Sequence, residues 1–167
     1  MTDPGNGAGG TLGRVAGLQR SAGGVPKLPV ESAVVRVTGM EGDAQRNRKY
    51  HGGSDRALCI YSLDLIQALA GEGHPIHPGA TGENVTLSGI DWRDVRPGAR
   101  LRLGAVEVEV TSFAVPCRTI RAAFVNEEIT RIGEKMHPGW SRVYARVIVE
   151  GEIAVGDVAD VTPCPRA

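Results

Sequence analysis

The pattern that most constrains the fold is a pair of alternating segments joined by a glycine turn. Apolar residues alternate with polar ones over 101–103 and again over 106–110, and Gly104 lies between the two segments. A period of two places one face of each strand in a core and the other in water. The pattern therefore predicts a β-hairpin, and it favours a fold built from short strands.

Tight turns are frequent along the whole chain. Its 167 residues include 23 Gly and 10 Pro, whereas aromatic residues make up only 4%, so the core must consist of aliphatic side chains between many turns. This mixture favours strands over long helices. Further strands are predicted at 11–18, 33–38, 57–61, 85–87, 142–149 and 158–161, with a hairpin turn at Glu150 and Gly151.

Two helical segments interrupt the strands. Ser62 is a suitable cap for a helix that continues to Ala70, and a second amphipathic segment is expected over 126–135. We therefore expect a mostly β fold with helices, in the form of a closed or strongly bent antiparallel β-barrel. The predicted organisation is a disordered lead over 1–10 and a single domain over 11–167.

The charge and cysteine counts restrict the partners. Nineteen basic residues balance nineteen acidic ones, so the chain lacks the field that gathers nucleic acid or anionic membrane. Three cysteines are too few for a secreted disulfide framework, and no apolar run approaches the roughly 20 residues of a membrane span. With no secretory signal pattern either, we expect a cytoplasmic protein that binds neither nucleic acid nor membrane.

Cys117 is the strongest candidate for chemistry. It follows Pro116 and precedes Arg118, so a cation next to the sulfur favours the thiolate, the form that binds soft metals or attacks sulfur. The alternative is that Cys117 is a small buried apolar residue. That alternative suits Cys59 better, because Cys59 lies inside an apolar strand, while Cys164 is expected to be exposed and incidental.

A glycine-rich polar segment precedes the strand at 57–61. His51, Gly52, Gly53 and Asp55 combine an imidazole, a carboxylate and two glycines that allow a ligand to approach the backbone. The same segment is also compatible with an ordinary polar turn. The later Gly-Glu-Asn motif contains Glu83 and Asn84. These two residues also have two interpretations, as turn residues or as residues that contact a ligand.

Scattered cations offer a local anion site despite the zero net charge. Lys49, Arg118, Arg121, Arg142 and Arg146 are the candidates, because arginine binds phosphate in a fork geometry. The alternative for each of them is ordinary surface charge.

Several other site classes lose support from the sequence. His74 and His77 lie three apart in a proline loop with no third ligand nearby, so they are expected to be surface residues and no zinc site is expected. The phosphate-loop, dinucleotide-binding and serine-hydrolase glycine motifs are all absent, so no nucleotide cofactor is expected.

Taken in order, the motifs resemble one family, the molybdenum cofactor sulfurase C-terminal (MOSC) domain, from about Lys27 to Val161. A segment over 23–27 further resembles the small stand-alone bacterial members. The resemblance rests on Gly42-Asp43, His51-Gly52-Gly53-Ser54-Asp55-Arg56-Ala57, Gly82-Glu83-Asn84 with Gly89, Pro97-Gly98, Pro116-Cys117, and Gly139-Trp140-Ser141-Arg142 before Tyr144-Ala145-Arg146-Val147.

The resemblance implies a β-barrel whose cysteine, here Cys117, ligates the molybdenum of a pterin cofactor or handles sulfur. The cations Lys49, Arg118, Arg142 and Arg146 would then hold the cofactor's phosphate. Asp55, Glu83 and Asn84, with the glycine-rich segment 51–53, would orient the pterin or shape its pocket.

Three functions follow from the resemblance and stay open at this point. The protein reduces N-hydroxylated small molecules with the metal, or transfers sulfur through a Cys117 persulfide, or only carries the cofactor. The sequence contains neither an iron–sulfur domain nor a pyridoxal-phosphate desulfurase domain. A separate electron-transfer reductase or cysteine desulfurase is therefore the expected partner.

Overall fold

A closed β-barrel forms the centre of the molecule. The structure is a computed structural model and describes residues 11–44 and 54–164. Its strands are β1 (Thr11–Arg20), β2 (Leu28–Val30), β3 (Ser32–Arg36), β4 (Gly39–Met40), β5 (Leu58–Ser62), β6 (Val85–Ser88), β7 (Arg100–Leu103), β8 (Val106–Phe113), β9 (Val143–Val149), β10 (Gly151–Ala154) and β11 (Val158–Thr162). The α-helix is α1 (Leu63–Gly71), and 3-10 turns are η1 (Ser54–Arg56), η2 (Trp92–Asp94), η3 (Arg118–Ala123), η4 (Val125–Glu127) and η5 (Ile129–Ile132).

The barrel strands follow the order β11-β7-β8-β9-β5-β6-β1, and β11 pairs with β1 to close the ring. The closing register places Thr11 opposite Val161 and Arg14 opposite Val158. Short β2 lies outside the ring on β1. The predicted closed, mostly antiparallel barrel is confirmed, including the hairpin of β7 and β8, in which Leu101 faces Val108.

One neighbouring pair, β5 with β6, runs parallel. Parallel strands need a crossover connection, and here α1 provides it. The helix begins as predicted, because the Ser62 hydroxyl accepts a hydrogen bond from the Leu65 amide at 3.2 Å. Ile66 and Leu69 of α1 are buried against the barrel. The crossover places the start of β6 beside the start of β5, and the candidate site lies at these two strand starts.

The predicted hairpin turn at Glu150 and Gly151 is wrong. β10 does not continue beside β9 but pairs with β3, which also pairs with β4 in a separate three-stranded sheet. The Glu150 carboxylate accepts a hydrogen bond from the Val37 amide at 2.8 Å. This bond links the connection between β9 and β10 to the end of β3.

The predicted helix over 126–135 is also wrong. The chain forms the short 3-10 turns η4 and η5 instead. Asn126 and Glu127 both have a φ of 56°, a left-handed conformation that interrupts an α-helix. Apolar residues nevertheless anchor the segment, since Phe124 and Ile132 are buried.

The hydrophobic core is filled mainly by aliphatic side chains, as the composition requires. Completely buried examples come from strands of both sheets: Leu18, Val35, Leu58, Leu87, Leu101, Val143, Ile153 and Val161. Within the described ranges, no helix is long and apolar enough to cross a membrane. The predicted disordered lead, 1–10, lies outside the described residues.

Candidate functional site

A cavity of about 360 Å³ opens where loops cover one side of the barrel. Its volume is at the lower end of the roughly 300–1,000 Å³ typical of small-molecule sites. The wall combines apolar, cationic and thiol side chains from segments far apart in sequence. It consists of Gly24, Val25, Lys27, Ala44, Cys59, Thr81, Gly82, Asn84, Val115, Cys117, Thr119, Ile120, Arg142 and Tyr144.

Cys117 lies in this wall, on the loop that follows β8. It is half-buried and has extended backbone immediately before η3, so the thiol is presented at the start of this turn. Its Sγ lies 2.7 Å from the Thr119 hydroxyl oxygen, and either atom can be the donor. Arg118, the next residue, is exposed and is not among the residues that line the cavity.

A second thiol, Cys59 of β5, lines the same cavity. The prediction that Cys59 is buried is confirmed, because only 7% of the residue is exposed. Its side chain nevertheless faces a cavity rather than an apolar core. Burial raises the pKa of the Cys59 thiol, although the nearby charge of Arg142 acts in the opposite direction. Cys59 is therefore a neutral thiol at neutral pH.

Asn84 connects β5 to a buried ion pair. Its side-chain oxygen accepts a hydrogen bond from the Cys59 amide at 3.1 Å, and its amide nitrogen donates to Asp43 at 2.9 Å. Asp43 also accepts from the Lys27 ammonium at 2.7 Å and from the Ser21 amide at 3.0 Å. The Asp43 side chain is 3% exposed and that of Lys27 11%, so Asn84 and Asp43 fix the position of the lysine at the cavity wall.

Glu83 lies behind the wall and is fully buried. Its carboxylate accepts hydrogen bonds from the Gly79 amide and the Thr81 hydroxyl. Burial raises the pKa of Glu83, against the opposing effects of these hydrogen bonds and of Arg142. Gly79 has a φ of +89°, and a Cβ there would lie 2.2 Å from the Lys27 carbonyl oxygen. Only glycine permits this close approach of the two loops.

Arg142 is the most deeply buried cation of the cavity. It is 5% exposed, and its guanidinium donates a hydrogen bond to the Thr81 carbonyl oxygen at 2.7 Å. Its Nε is buried and has no hydrogen-bond partner among the described residues. A buried donor without a partner is costly, so this N–H is available to a ligand.

Tyr144 of β9 completes the polar wall. It pairs with Cys59 across the ladder, and its half-buried ring lies beneath the Arg56 guanidinium, 5.1 Å from the ring centroid. Burial raises the pKa of Tyr144, so its hydroxyl stays protonated at neutral pH. Beside it, β8 has an irregular register between Val110 and Ser112. Such bulges reorient side chains at functional edges.

The structure brings together some of the predicted site residues and not others. Asn84, Cys117 and Arg142 line one cavity, with Glu83 directly behind it. Asp55, Arg118, Arg121 and Arg146 are not among the lining residues. The remaining predictions, Lys49, His51, Gly52 and Gly53, lie outside the described residues.

Two of these outlying residues have other contacts. Arg146 donates a hydrogen bond to Glu109 at 2.9 Å on the barrel surface. The Asp55 backbone carbonyl accepts one from the Thr111 hydroxyl. Both contacts support the barrel wall rather than the cavity.

Sequence reasoning assigned no site role to Lys27, Asp43, Cys59, Thr81 or Tyr144. Four of them are lining residues, and Asp43 holds Lys27. Lys27 and Asp43 lie within the segment 23–27 and the Gly42-Asp43 motif of the family resemblance, and these motifs are the sequence signal that points to them. The expected surface position of His74 is wrong, because His74 is buried and its Nδ1 accepts a hydrogen bond from the Val125 amide at 3.0 Å.

Comparison with known proteins identifies the family. The model of the MOSC domain matches residues 47–160. The chain belongs to the MOSC domain family. Among curated proteins it is 31% identical to the uncharacterized protein YflK of Bacillus subtilis strain 168 over 139 residues, which is 80% of this chain and 60% of YflK. It is also 31% identical to the YiiM protein of Escherichia coli K12, over 83% of this chain and 66% of YiiM.

Solved structures of other proteins share the MOSC-type barrel. The crystal structure of the YUAD protein from Bacillus subtilis matches with a TM-score of 0.73 at 18% identity and covers 94% of this chain and 99% of YUAD. YiiM from Geobacillus stearothermophilus matches with a TM-score of 0.69 at 23% identity, over 90% of this chain and 75% of that one. This MOSC protein thus spans slightly less than two thirds of its curated relatives YflK and YiiM, and almost all of YUAD.

Proposed function

We propose that this MOSC protein binds the molybdenum cofactor in the Cys117 cavity and reduces N-hydroxylated small molecules. The observation that carries the proposal is the donor set of one cavity. A half-buried thiol and a 95% buried arginine with an unpartnered N–H line the same cavity. A soft thiolate suits a thiophilic metal, and a guanidinium suits an anionic cofactor, so the residues present fit the group.

Each residue has a defined part in this proposal. Cys117 would ligate the metal, which, when bound, supplies the two-electron chemistry that converts an N–OH group to N–H and releases the oxygen as water. Lys27 and Arg142 would neutralise the negative charge of the cofactor. The raised pKa of Tyr144 keeps a proton on its hydroxyl, so Tyr144 is the donor that the wall offers to the departing oxygen.

The electrons must come from outside the described cavity wall, and we propose a separate electron-transfer reductase as their source. We also place the reaction in the cytoplasm. The three cysteines of the described chain are all free, which agrees with a reducing compartment.

Sulfur transfer is the second candidate, and the presence of two thiols on one cavity favours it. In this reading Cys117 carries a persulfide received from a cysteine desulfurase, and Cys59 lines the same cavity. The chemistry is thiol exchange, and it needs no resident metal. Storage of the cofactor without turnover is the third possibility.

The deciding experiment measures molybdenum and released pterin in protein purified without oxygen from a host that makes the cofactor. We expect near-equimolar metal and pterin in the wild type and in Cys164→Ala, whose cysteine is exposed. Cys117→Ala should lose both while it keeps its circular dichroism spectrum. A well-folded wild type without metal or pterin would contradict the proposal, and a Cys117 persulfide seen by mass spectrometry would then support sulfur transfer.

Turnover separates the reductase from a carrier. Given electrons from a chemical donor, the loaded protein should reduce an N-hydroxylated base or amidoxime. A carrier would instead release the cofactor to an apo-enzyme and leave these compounds unchanged.

A further inference from the structure

A buried histidine outside the cavity joins two parts of the fold. His74 follows α1 and is 9% exposed, and its Nδ1 accepts a hydrogen bond from the Val125 amide at 3.0 Å. A backbone amide can only donate, so Nδ1 carries no proton and the ring proton lies on Nε2. The ring also packs edge to face on Phe124, with 5.4 Å between the centroids. His74 thus links the end of α1 to the segment over 118–132, which comprises η3, η4 and η5.

This segment supplies part of the cavity wall. Cys117 immediately precedes η3, and Ile120 of η3 is a lining residue. Backbone hydrogen bonds with three-residue spacing continue from Cys117 through η3 and into η4. Because consecutive tight turns join the thiol to Val125, a displacement at Val125 is expected to reach the wall at Cys117.

The backbone next to the His74 link needs support from its surroundings. Asn126 and Glu127, which follow the bonded amide of Val125, both have a φ of 56°. This left-handed conformation is uncommon for residues other than glycine and persists where neighbouring contacts fix the chain. The bond from Val125 to the His74 ring is such a contact. Its loss would therefore allow the segment to relax.

Protonation of His74 removes the link. In an imidazolium both ring nitrogens carry hydrogen, so Nδ1 cannot accept from the Val125 amide. Histidine is the side chain that typically changes its charge between pH 5 and 8. A charged ring would have a carboxylate beside it, because Glu72 Oε1 lies 3.6 Å from Nε2. Arg131 of η5 binds the same carboxylate at 2.7 and 2.9 Å.

The other charged groups on these elements have different positions. Arg121 of η3 and Glu127 of η4 lie 3.8 Å from each other, and Glu128 is exposed. His77, in the same loop as His74, is also exposed. Glu72, with Arg131 bound to it, is thus the charged group that faces the His74 ring.

We propose that His74 is a pH-sensitive link that controls access to the cavity. Neutral His74 holds the segment 118–132 against the end of α1. Protonated His74 releases the Val125 amide, and the Cys117 side of the cavity opens. The inference goes beyond the proposed function, because it concerns access to the cavity whatever the cavity binds.

The first test measures hydrogen exchange of peptides from 118–132 by mass spectrometry, at about pH 7.5 and about pH 5.5. Rates are corrected for the intrinsic pH dependence of exchange. In wild type the protection around Val125 should fall about fivefold at the lower pH, because one hydrogen bond is lost, while β8 stays protected. His77→Asn, the control histidine variant, should behave like the wild type. Unchanged protection in wild type would overturn the proposal without any variant.

Replacement of the ring separates His74 from other acid effects. In His74→Asn, the side-chain oxygen can accept from the Val125 amide and does not titrate, so protection around Val125 should be high at both pH values. His74→Leu offers no acceptor and should show low protection at both. A fall in His74→Asn equal to that in wild type would show that another group senses the pH.

Access to the cavity is measured by the reaction of Cys117 with dithiodipyridine, a disulfide reagent that reacts at acid pH. Both proteins carry Cys164→Ser, and mass spectrometry separates Cys117 from Cys59. Wild type and His74→Asn are compared at the same pH, so that the ionisation of Cys117 cancels.

The two proteins should react at equal rates at about pH 7.5, whereas wild type should react severalfold faster at about pH 5.5. Equal rates at both pH values would contradict the opening of the cavity. The measurement uses neither metal nor turnover, so its result is independent of the metal analysis of the proposed function.

Discussion

The two cysteines of the cavity are in different surroundings. Cys117 lies on a loop after a strand and is half-buried, with the Thr119 hydroxyl 2.7 Å from its Sγ. Cys59 lies within a barrel strand, 7% exposed, between the side chain of Asn84 and the charge of Arg142. The loop thiol is accessible for ligation or transfer, while the strand thiol belongs to a fixed polar wall. Position in the fold, rather than residue type, thus assigns their different chemistry.

Exchanging the two thiols for alanine gives the largest expected difference. Cys117→Ala should lose all bound molybdenum, because no other described cysteine occupies the loop position. Cys59→Ala should keep its metal, and its free energy of unfolding should fall by about 1 kcal/mol because a small buried side chain is truncated. Elemental analysis and urea titration measure both. Metal lost equally from the two variants would remove the distinction.

The next largest effect is expected at Gly79, whose backbone supports the wall of the cavity. Gly79→Ala should destabilise the protein by about 3 kcal/mol or more, because a Cβ would lie 2.2 Å from the Lys27 carbonyl oxygen in a backbone with φ of +89°. Gly73→Ala is the matched control, since its φ is +103° but nothing lies within 4 Å of the added Cβ.

The control should cost about 1–2 kcal/mol from backbone strain alone. Free energies of unfolding in urea provide the comparison. Equal losses in the two glycine variants would show that contact with the Lys27 segment does not stabilise the wall.

Removal of the Asn84 side chain should have an intermediate effect. Asn84→Ala leaves the buried Cys59 amide without its partner and removes one of the two hydrogen bonds to the Asp43 oxygen that Lys27 also contacts, which costs about 1–3 kcal/mol. Exposed Gln67 on α1 offers the control Gln67→Ala, for which we expect a change within about 0.5 kcal/mol. A loss no greater for Asn84→Ala than for Gln67→Ala would place the amide outside the stabilising network.

The smallest effect concerns the pH dependence of stability. Burial raises the pKa of Glu83 above its ordinary value of 4.5, so the folded state holds a proton that the unfolded chain releases. The contribution of Glu83 is therefore fully present below pH 4.5 and declines as pH rises toward the folded pKa, by at most about 1.4 kcal/mol per pH unit.

The side chain of Glu83→Gln cannot ionise. As pH rises above 4.5, the free energy of unfolding of this variant should therefore increase relative to that of the wild type. Urea titrations of both proteins at several pH values measure the difference. Parallel pH profiles would indicate that Glu83 titrates alike in the two states.

Local patterns predicted most of the barrel. The alternation over 101–110 and the cap at Ser62 depend on neighbouring residues, and both elements formed as expected. The pairing of β10 with β3 joins segments more than a hundred residues apart, for example Gly151 with Val35. No local signal at Glu150 and Gly151 distinguishes that partner from β9.

The same reason limits prediction of the site. Cys117, Asn84 and Arg142 were identified from their motifs and share a cavity. Every residue of β5 is buried, so the strand lacks the alternation that would reveal which side chain faces the cavity. The structure is therefore needed to show that Cys59 lines the cavity together with Tyr144 and Arg142. Arg146 resembles Arg142 in sequence, but it lies on the barrel surface beside Glu109.

The wall of the cavity is assembled from six separate stretches of chain between Gly24 and Tyr144. These stretches come together only when strands distant in sequence have paired, so a chain without the closed barrel does not present the complete binding surface. A bound ligand then stabilises the closed barrel as a whole by mass action. Binding should therefore slow amide hydrogen exchange even in strands far from the cavity, wherever an amide exchanges only through global unfolding.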